Sequence, residues 1–222
     1  MTLQSFDALP EEALKEILVL TEAKRRLDLQ DEAQNKFMPF AHHVYENFIE
    51  GRHHRVIAEK LEAVARGELK RLIINMPPRH SKSEFASYLM PAWFLGRNPK
   101  LKIIQATHNT ELAVRFGRKV RDLIDDPAYR EIFPETNLKE DNKGAGKWGT
   151  DKGGEYFAAG VGAAVTGRGA DLFVIDDPHS EQDAMSDTAF DNAYEWYTSG
   201  PRQRLQPGGA IIIVMTRWGK KD

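Results

Sequence analysis

The chain has 222 residues, of which 41% are hydrophobic, and its 31 basic and 33 acidic side chains leave a net charge of −2. This length supports one substantial α/β domain, the balanced charge excludes a generally basic nucleic-acid binder, and the lack of cysteine excludes disulfides and cysteine-based metal or redox chemistry. No apolar run approaches the ~20 residues of a membrane span and the N-terminus lacks an export signal, so we expect a cytoplasmic protein without membrane contact.

The first part of the chain is predicted to be helical. Pro10 and the two glutamates after it favour a helix start, because proline fits the first turn and acidic side chains interact well with the positive end of the helix dipole. Helices are expected from Pro10 to about Leu27, over residues 33–49 and over residues 53–67. We therefore divide the chain into an N-terminal helical segment, residues 1–35, and one further domain, residues 36–222.

The rest of the chain alternates between strand and helix patterns. Short apolar runs bounded by turn residues predict strands, and longer segments with helical periodicity predict helices. The expected strands are 71–75, 101–106, 155–159, 172–177 and 210–215. The expected helices are 82–95, 109–124 and 187–199, and residues 125–127 are expected to close the second of them. A turn is expected at 207–209 and a loop or loose hairpin over 136–153. This alternation predicts an α/β fold with a mostly parallel sheet and right-handed crossovers.

Residues 71–83, with the sequence RLIINMPPRHSKS, have the layout of a phosphate-binding loop. An apolar strand is followed by a tight loop, then Lys82 and Ser83, then a helix. The lysine is suited to reach the β- and γ-phosphates and the hydroxyl to ligate Mg²⁺, while the helix directs free N–H groups toward the anion. The pattern predicts a nucleoside triphosphate with magnesium as the ligand.

This loop departs from the usual pattern G-x-x-x-x-G-K-[ST]. Met76 and Ser81 stand at the positions of the two glycines. If the second position requires a positive φ, a serine there costs on the order of 1–3 kcal/mol. From the loop alone, a buried strand that leaves the core through a Pro-Pro turn, with a solvated lysine, remains an alternative.

A second strand ends in two carboxylates. Leu172–Ile175 is continuously apolar, which is typical of a strand buried on both faces of a parallel sheet, and Asp176 and Asp177 follow at its C-terminal end, where open α/β sheets bind ligands. Asp176 is placed to hold Mg²⁺, and Asp177 to orient or deprotonate the attacking water. A strand that ends in an Asp-Asp turn is the alternative, and the lysine loop upstream favours the functional interpretation.

The last apolar strand, Ala210–Met215, leads directly into Thr216. A polar residue at the tip of such a strand is suited to sense the γ-phosphate and to link hydrolysis to motion. A threonine that satisfies a local backbone group is an equal alternative.

Basic side chains are concentrated in two places, although the whole chain is nearly neutral. One group lies on the helix predicted over 109–124 and the other in the glycine-rich stretch over 136–153. Their members are Arg115, Arg118, Lys119 and Arg121 in the first, and Lys139, Lys143, Lys147 and Lys152 in the second. Contact with nucleic acid is one interpretation, and a solvated helix face and a loose loop are the others.

Four stretches together resemble the N-terminal ATPase domain of the large terminase subunit of tailed bacteriophages. They are GRHHRVIAEKL over 51–61, RLIINMPPRHSKSE over 71–84, VTGRGADLFVIDDP over 165–178 and RLQPGGAIIIVMTRW over 204–218. They occur in the order and spacing of that family, from about residue 40 to the end of the chain. The resemblance implies a P-loop NTPase fold of the additional-strand type for residues 36–222, in which the Thr216 strand lies between those of Lys82 and Asp176.

The resemblance also implies an activity and partners. Members of the family hydrolyse ATP, with Mg²⁺, to drive double-stranded DNA into a procapsid, and they work as homo-oligomeric rings with a portal protein and a small terminase subunit. Full-length relatives carry a C-terminal nuclease domain with an acidic metal-binding cluster. Nothing in this sequence corresponds to that cluster, so we expect an excised ATPase domain that does not cut DNA.

Roles for individual residues follow from the same resemblance. Lys82 matches the phosphate-contacting lysine, Ser83 and Asp176 the magnesium ligands, and Asp177 the catalytic carboxylate, which is glutamate in many relatives. Thr216 falls at the coupling motif, and Arg79 at a loop arginine that acts on the γ-phosphate within the same subunit. The nucleotide is expected to contact Pro78, Arg79, His80, Ser81, Lys82, Ser83, Glu84 and His54.

Other assignments stay open at this point. His53, His54 and Arg55 fall in the upstream nucleotide-contacting segment of the family, and Phe40 or Tyr45 is suited to stack on a base, with ordinary packing an equal alternative for each. A zinc site at His42, His43, His53 and His54 is not favoured, because no acidic or cysteine ligand completes it. The candidates for an arginine that acts on a neighbouring subunit are Arg115, Arg118, Arg121 and Arg168.

Two further functions compete with the packaging motor. One is a helicase-like, nucleic-acid-dependent ATPase, although such enzymes usually carry a second motor lobe. The other is a nucleotide-binding assembly module with little turnover, which the serine at position 81 favours.

Overall fold

The computed structural model describes residues 10–165 and 167–218. Residues 1–9 of the predicted N-terminal segment, Thr166 and residues 219–222 lie outside the described part. The described α-helices are α1 (Glu11–Asn35), α2 (Phe37–Val44), α3 (Arg52–Ala65), α4 (Met90–Arg97), α5 (Thr110–Ile124), α6 (Pro127–Ile132) and α7 (Asp187–Ser199). The strands are β1 (Arg71–Asn75), β2 (Lys102–Thr107), β3 (Leu138–Lys143), β4 (Lys147–Thr150), β5 (Glu155–Gly160), β6 (Ala170–Asp176) and β7 (Leu205–Met215).

A seven-stranded sheet in the order β1-β7-β6-β2-β5-β4-β3 forms the centre of the fold. The pairs from β1 to β5 are all parallel, and β4 and β3 extend the sheet as antiparallel strands. The predicted α/β class with a mostly parallel sheet is therefore confirmed. The strand before Thr216, β7, lies between β1 and β6, which is the order that the resemblance implies, and it brings three strand tips to one edge of the sheet.

Buried side chains cover both faces of the central strands. β6 has hydrogen-bonded neighbours on both sides, and its run Leu172–Ile175 is almost completely buried. On one face the sheet packs against a large cluster that includes Phe85 and Trp93, and on the other against a smaller cluster beside α7. Burial of each large apolar side chain contributes about 1.5–3 kcal/mol, so the strands that end at the candidate site are firmly held.

The N-terminal helices differ from the prediction in their bounds. α1 continues to Asn35 instead of ending near Leu27, because its last turns pack on the domain: Ala33 is fully buried and its carbonyl accepts a 2.9 Å hydrogen bond from the Trp93 indole. The helix predicted over 33–49 is shorter than expected, since α2 covers only Phe37–Val44. Residues beyond Val44 form turns that become one wall of a cavity described below.

The helix predicted to run to Ile124 and to be closed by residues 125–127 ends there, as α5. A further helix was not predicted: the Asp126 side chain accepts a 2.8 Å hydrogen bond from the Ala128 amide and caps α6, which begins at Pro127. Two other local predictions are wrong in detail. The helix expected over 82–95 contains a π-helical segment, Glu84–Leu89. The turn expected at 207–209 lies inside β7 as an irregularity, where the pairing register with β6 shifts.

The stretch over 136–153, predicted as a loop or loose hairpin, forms an ordered antiparallel hairpin of β3 and β4. Among the described helices, none is both long and apolar enough to cross a membrane.

Candidate functional site

The loop over residues 76–83 connects β1 to the start of a helix. The amide of Phe85 donates a 2.9 Å hydrogen bond to the Ser81 carbonyl, which makes Lys82 and Ser83 the first residues of that helix. The first N–H groups of a helix have no acceptor within it, and they carry the positive end of the helix dipole. The loop therefore presents both donors and positive potential at the tip of β1.

Ser81 has the left-handed backbone conformation that glycine adopts without steric cost. Its φ is 59°, and Arg79, two residues earlier, has a φ of 63°. Ser81, which stands at the second glycine position of the G-x-x-x-x-G-K-[ST] pattern, therefore has the positive φ that is strained for a serine. Both Ser81 and Arg79 hold a backbone conformation that carries an energetic cost for a non-glycine residue.

We expect Ser81→Gly to be more stable than Ser81→Ala by about 1 kcal/mol, because only glycine relieves the left-handed strain. Both variants remove the hydroxyl, so the comparison isolates the backbone term. Chemical denaturation of the two variants measures the difference. Equal stability of the glycine and alanine variants would contradict a strained loop.

Asp176 lies at the end of β6 and is only 2% exposed. The hydroxyl of Ser83 donates a 3.1 Å hydrogen bond to Oδ1, and the hydroxyl of Ser87 donates a 2.7 Å bond to Oδ2. Burial raises the pKa of Asp176 to about 6, the Asp177 charge adds to this, and the two serines and Lys82 oppose it. The carboxylate is thus buried, oriented through both oxygens and destabilised in its charged form.

Ser87 is a site residue that the sequence analysis missed. It is completely buried and lies in the π-helical segment, four residues after Ser83. Single π-helical turns occur frequently at functional sites. The spacing of Ser83 and Ser87 is the one signal that sequence reasoning had, since residues four apart share one face of a helix.

We expect Asp176→Asn to stabilise the protein at pH 7.5, on the order of 1–3 kcal/mol, because the raised pKa means that ionisation of Asp176 opposes folding. The native state binds more protons than the unfolded chain between pH 3.8, the ordinary pKa of an aspartate, and about pH 6, the raised pKa in the folded protein. The stability of the natural chain therefore falls as pH rises through that window, and the advantage of the variant disappears near pH 4. Thermal unfolding from pH 4 to 8 measures this, and a less stable variant at pH 7.5 would contradict it.

Asp177 joins three elements of the fold. Its Oδ2 lies 3.1 Å from Lys82 Nζ, and its Oδ1 accepts a 2.9 Å hydrogen bond from the Thr216 amide at the end of β7. Its own carbonyl accepts a 3.1 Å bond from the His108 amide, just after β2. The backbone at Asp177 has a φ of 42°, which these contacts hold in place. The structure thus brings Lys82, Ser83, Asp176, Asp177 and Thr216 to one point.

Lys82 is buried to 7% exposure, and Thr216 is equally buried. A lysine this buried requires a charged partner, which Asp177 supplies here. The structure gives Thr216 a contact that neither sequence interpretation named. Its backbone amide donates a hydrogen bond to the Asp177 carboxylate and orients it. The β7 tip and Asp177 are therefore directly connected by this hydrogen bond.

A cavity of about 330 Å³ adjoins the loop. Its walls include Tyr45 and Phe48 from the turn after α2, His53 and His54 from α3, and Arg79 and Ser81 from the loop. The rings of Tyr45 and Phe48 are nearly parallel with centroids 5.9 Å apart, and the side chain of His54 stacks on Phe85 at 4.9 Å. Aromatic walls beside a phosphate-type loop are suited to hold a planar base.

Histidines are concentrated on the floor of this cavity. The ring centroids of His53 and His54 lie 3.9 Å apart, and those of His53 and His80 lie 5.7 Å apart. His54 Nδ1 accepts a 2.8 Å hydrogen bond from the Gly51 amide. Burial lowers the pKa of His54, and the neighbouring His53 and His80 lower it further. The Nδ1 acceptor role and the lowered pKa both indicate a neutral His54 at pH 7.

Some of the sequence candidates lie elsewhere. Phe40 is fully buried between Phe37, Tyr129 and Phe133, so it belongs to the core and does not face the cavity. The carboxylate of Glu84 pairs with Lys119 at 2.9 Å, which directs it toward α5 and away from the loop. Arg55 pairs with Glu50. His80 contacts the Pro78 carbonyl at 2.9 Å, and Arg79 is exposed beside the cavity.

The four arginines considered for a role in a neighbouring subunit have different surroundings. Arg121 bonds to Asp122 and to the Lys143 carbonyl, and the Arg168 guanidinium lies 3.9 Å from the centroid of the Phe157 ring. Arg115 and Arg118 are exposed on the outer side of α5. Within the described part of the chain, these two have no ion-pair or hydrogen-bond partner.

The donor set at Asp176 is of the oxygen type that magnesium prefers. Ser83 and Asp176 offer a hydroxyl and a carboxylate oxygen, which are hard ligands. Among the described residues, no group of three or more His, Cys, Asp and Glu side chains is arranged to hold a metal ion. Magnesium typically takes one or two protein ligands and completes its shell with water and phosphate oxygens, so this small set is sufficient for it.

No family model matches the chain, and no curated protein matches it. Among solved structures, the chain is similar to the crystal structure of the HK97 bacteriophage large terminase, with a TM-score of 0.46 and 13% sequence identity. The alignment covers 76% of this chain and 33% of that chain. This chain therefore spans about a third of the length of that terminase chain.

Proposed function

We propose that this chain binds ATP with Mg²⁺ and hydrolyses it, as the ATPase domain of a viral DNA-packaging terminase. The observation that carries the proposal is the convergence of two contacts, Lys82 to Asp177 at 3.1 Å and Ser83 to Asp176 at 3.1 Å. In each pair the two residues are far apart in sequence: the carboxylate follows or ends β6, and its partner lies in the loop after β1. A lysine, a hydroxyl and two carboxylates at one sheet edge are the groups that ATP hydrolysis requires.

Each residue has a distinct role in this proposal. Lys82 exchanges its Asp177 partner for phosphate oxygens, and Ser83 and Asp176 hold the magnesium ion, which neutralises charge on the phosphates. Asp177, oriented by the Thr216 amide, accepts the proton of the attacking water. The exposed Arg79, which belongs to the loop, acts on the γ-phosphate in this proposal, and Ser81 with its neighbours in the loop directs N–H groups to the phosphates.

The cavity beside the loop provides the base site in the same proposal. Tyr45 and Phe48 supply aromatic surface, and neutral His54 offers a hydrogen-bonding ring on the cavity floor. A ligand with its base in this cavity and its phosphates over Lys82 would span the loop from His80 to Ser83. The cavity and the loop share Arg79, His80 and Ser81, which supports one extended ligand for both.

The packaging role rests on the resemblance of the four sequence stretches to terminase motifs. The proposed role is translocation of double-stranded DNA by a ring of subunits, in which an arginine acts across the subunit interface. The ring docks to a portal protein and a small terminase subunit in the cytoplasm of the host. The order of strands in the sheet, with β7 between β1 and β6, supports an additional-strand P-loop fold for this chain.

Titration with a fluorescent ATP analogue, with and without Mg²⁺, tests the core of the proposal. We expect saturable binding that tightens with magnesium and is competed by ATP. Phosphate release from the same complex then reports hydrolysis. Absence of saturable binding in the presence of Mg²⁺ would refute the proposed function.

A forked DNA duplex separates the packaging motor from the helicase-like alternative. We expect no strand separation, because the described chain has one sheet and no second motor lobe within residues 10–165 and 167–218. ATP-dependent unwinding by this chain would favour the helicase.

A further inference from the structure

We infer that helix α5 and the β3–β4 hairpin form one preassembled basic seam that binds the phosphate backbone of duplex DNA. The seam consists of Arg115, Arg118, Arg121 and Lys143. Its connection to hydrolysis rests on the proposed function, whereas the binding itself follows from the charge and geometry of these four residues.

The hairpin is fixed against α5 by close backbone contacts. A side chain at Gly117 would place its Cβ 2.6 Å from the Ala145 carbonyl, and one at Gly146 would place its Cβ 2.8 Å from Val114. The Trp148 indole also donates a 2.9 Å hydrogen bond to the Gly117 carbonyl. Both glycines are therefore needed for the approach, and the hairpin is docked rigidly on the helix.

One hydrogen bond joins helix α5 to the hairpin at the position of Lys143. The Arg121 guanidinium donates a 2.8 Å bond to the Lys143 carbonyl, and Arg115 and Arg118 precede it along the same helix. From Arg115 to Arg121 the helix advances about 9 Å, while successive phosphates of one DNA strand are about 3.4 Å apart along the axis. The seam is thus long enough to meet two or three phosphates.

The seam keeps positive charge that is not neutralised by the protein. Asp122 pairs with Arg121, and Asp141 pairs with Lys139 on the hairpin. Arg115, Arg118 and Lys143 are exposed, and the described residues provide no carboxylate partner for them. Since the whole chain has a net charge of −2, attraction to a polyanion has to come from a local surface such as this one.

The seam is also close in sequence to the candidate site. His108 donates from its amide to the Asp177 carbonyl, and its ring Nδ1 lies 3.1 Å from the same oxygen. Asn109, the next residue, caps α5 by accepting a 2.7 Å bond from the Glu111 amide. Two consecutive residues, His108 and Asn109, therefore connect Asp177 to the start of α5.

Fluorescence anisotropy with a labelled DNA duplex of about 30 base pairs, over a range of salt concentrations, tests the inference. We expect the double variant Arg115→Glu/Arg118→Glu to bind about tenfold or more weakly than the natural chain, and the slope of log affinity against log salt to fall by about 2. The matched control is Lys24→Glu/Arg25→Glu on the exposed part of α1, which makes the same change in net charge.

The outcomes separate this inference from the proposed function. Equal weakening by the two double variants, or no DNA binding by the natural chain, would overturn the seam. Unlabelled poly-glutamate should displace the labelled duplex more weakly than unlabelled DNA does. Equal displacement by the two would also overturn the inference, because the seam would then bind an acidic protein as well as it binds DNA. Binding of the fluorescent ATP analogue by the natural chain is measured on the same samples, so that a failure of the proposed function, which is absence of analogue binding, is distinguished from a failure of the seam.

Discussion

Asp177→Asn is expected to reduce steady-state ATP hydrolysis by about 10²- to 10⁴-fold while nucleotide binding is retained, since general-base catalysis contributes a factor of this size. Asparagine has nearly the same shape as aspartate, and its Oδ1 still accepts the hydrogen bond from the Thr216 amide. It has no basicity to accept the proton of a water molecule. The substitution therefore removes the basicity and keeps the contact with the Thr216 amide.

The same change frees Lys82 from its ion pair, so affinity for the ATP analogue should be equal or higher in the variant. Phosphate release and analogue titration together measure both effects. Asp191→Asn, an exposed aspartate on α7, is the matched control, and we expect it to leave both quantities unchanged. Equal background rates of phosphate release in the natural chain and in Asp177→Asn would instead support an assembly module that holds nucleotide without turnover.

The strand tips could be predicted because continuous apolar runs are a strong local signal. Leu172–Ile175 and Ala210–Met215 indicate buried parallel strands, and in such sheets the residues just after the strands meet at one edge. That argument alone brings Asp177 and Thr216 together. It depends on periodicity, which is a property of the sequence itself.

Contacts that arise from backbone geometry could not be predicted in this way. Ser87 reaches Asp176 from a π-helical segment, for which its spacing from Ser83 is the only sequence signal, and His108 binds Asp177 through its backbone amide, which leaves no pattern in the sequence. Phe48 lines the cavity because α2 ends at Val44, so that Phe48 lies in the turn after the helix. Phe40 is in the core because it lies on the buried side of α2, and both positions depend on tertiary packing. Local sequence patterns locate strands better than they locate the ends of helices.

Lys82→Ala is expected to lower affinity for the ATP analogue by about 10- to 150-fold, because a hydrogen bond to a charged group contributes roughly 1.5–3 kcal/mol. The effect on folding should be small. The Asp177 side chain is 29% exposed and keeps the Thr216 amide as a donor, so its charge is not left buried and unpaired. Denaturation of the variant checks that lost affinity is not lost structure.

The position of Lys82 allows a sharper form of this test. If its ammonium acts on the β- and γ-phosphates, the variant should lose affinity for ATP and retain that for AMP, whose base and single phosphate do not extend to Lys82. Lys119→Ala is the matched control, because it removes a lysine charge that Glu84 pairs with on the next helix and does not touch Asp177. Unchanged ATP affinity in Lys82→Ala would count decisively against the loop as a phosphate site, and equal losses for ATP and AMP would show that Lys82 supports the cavity instead.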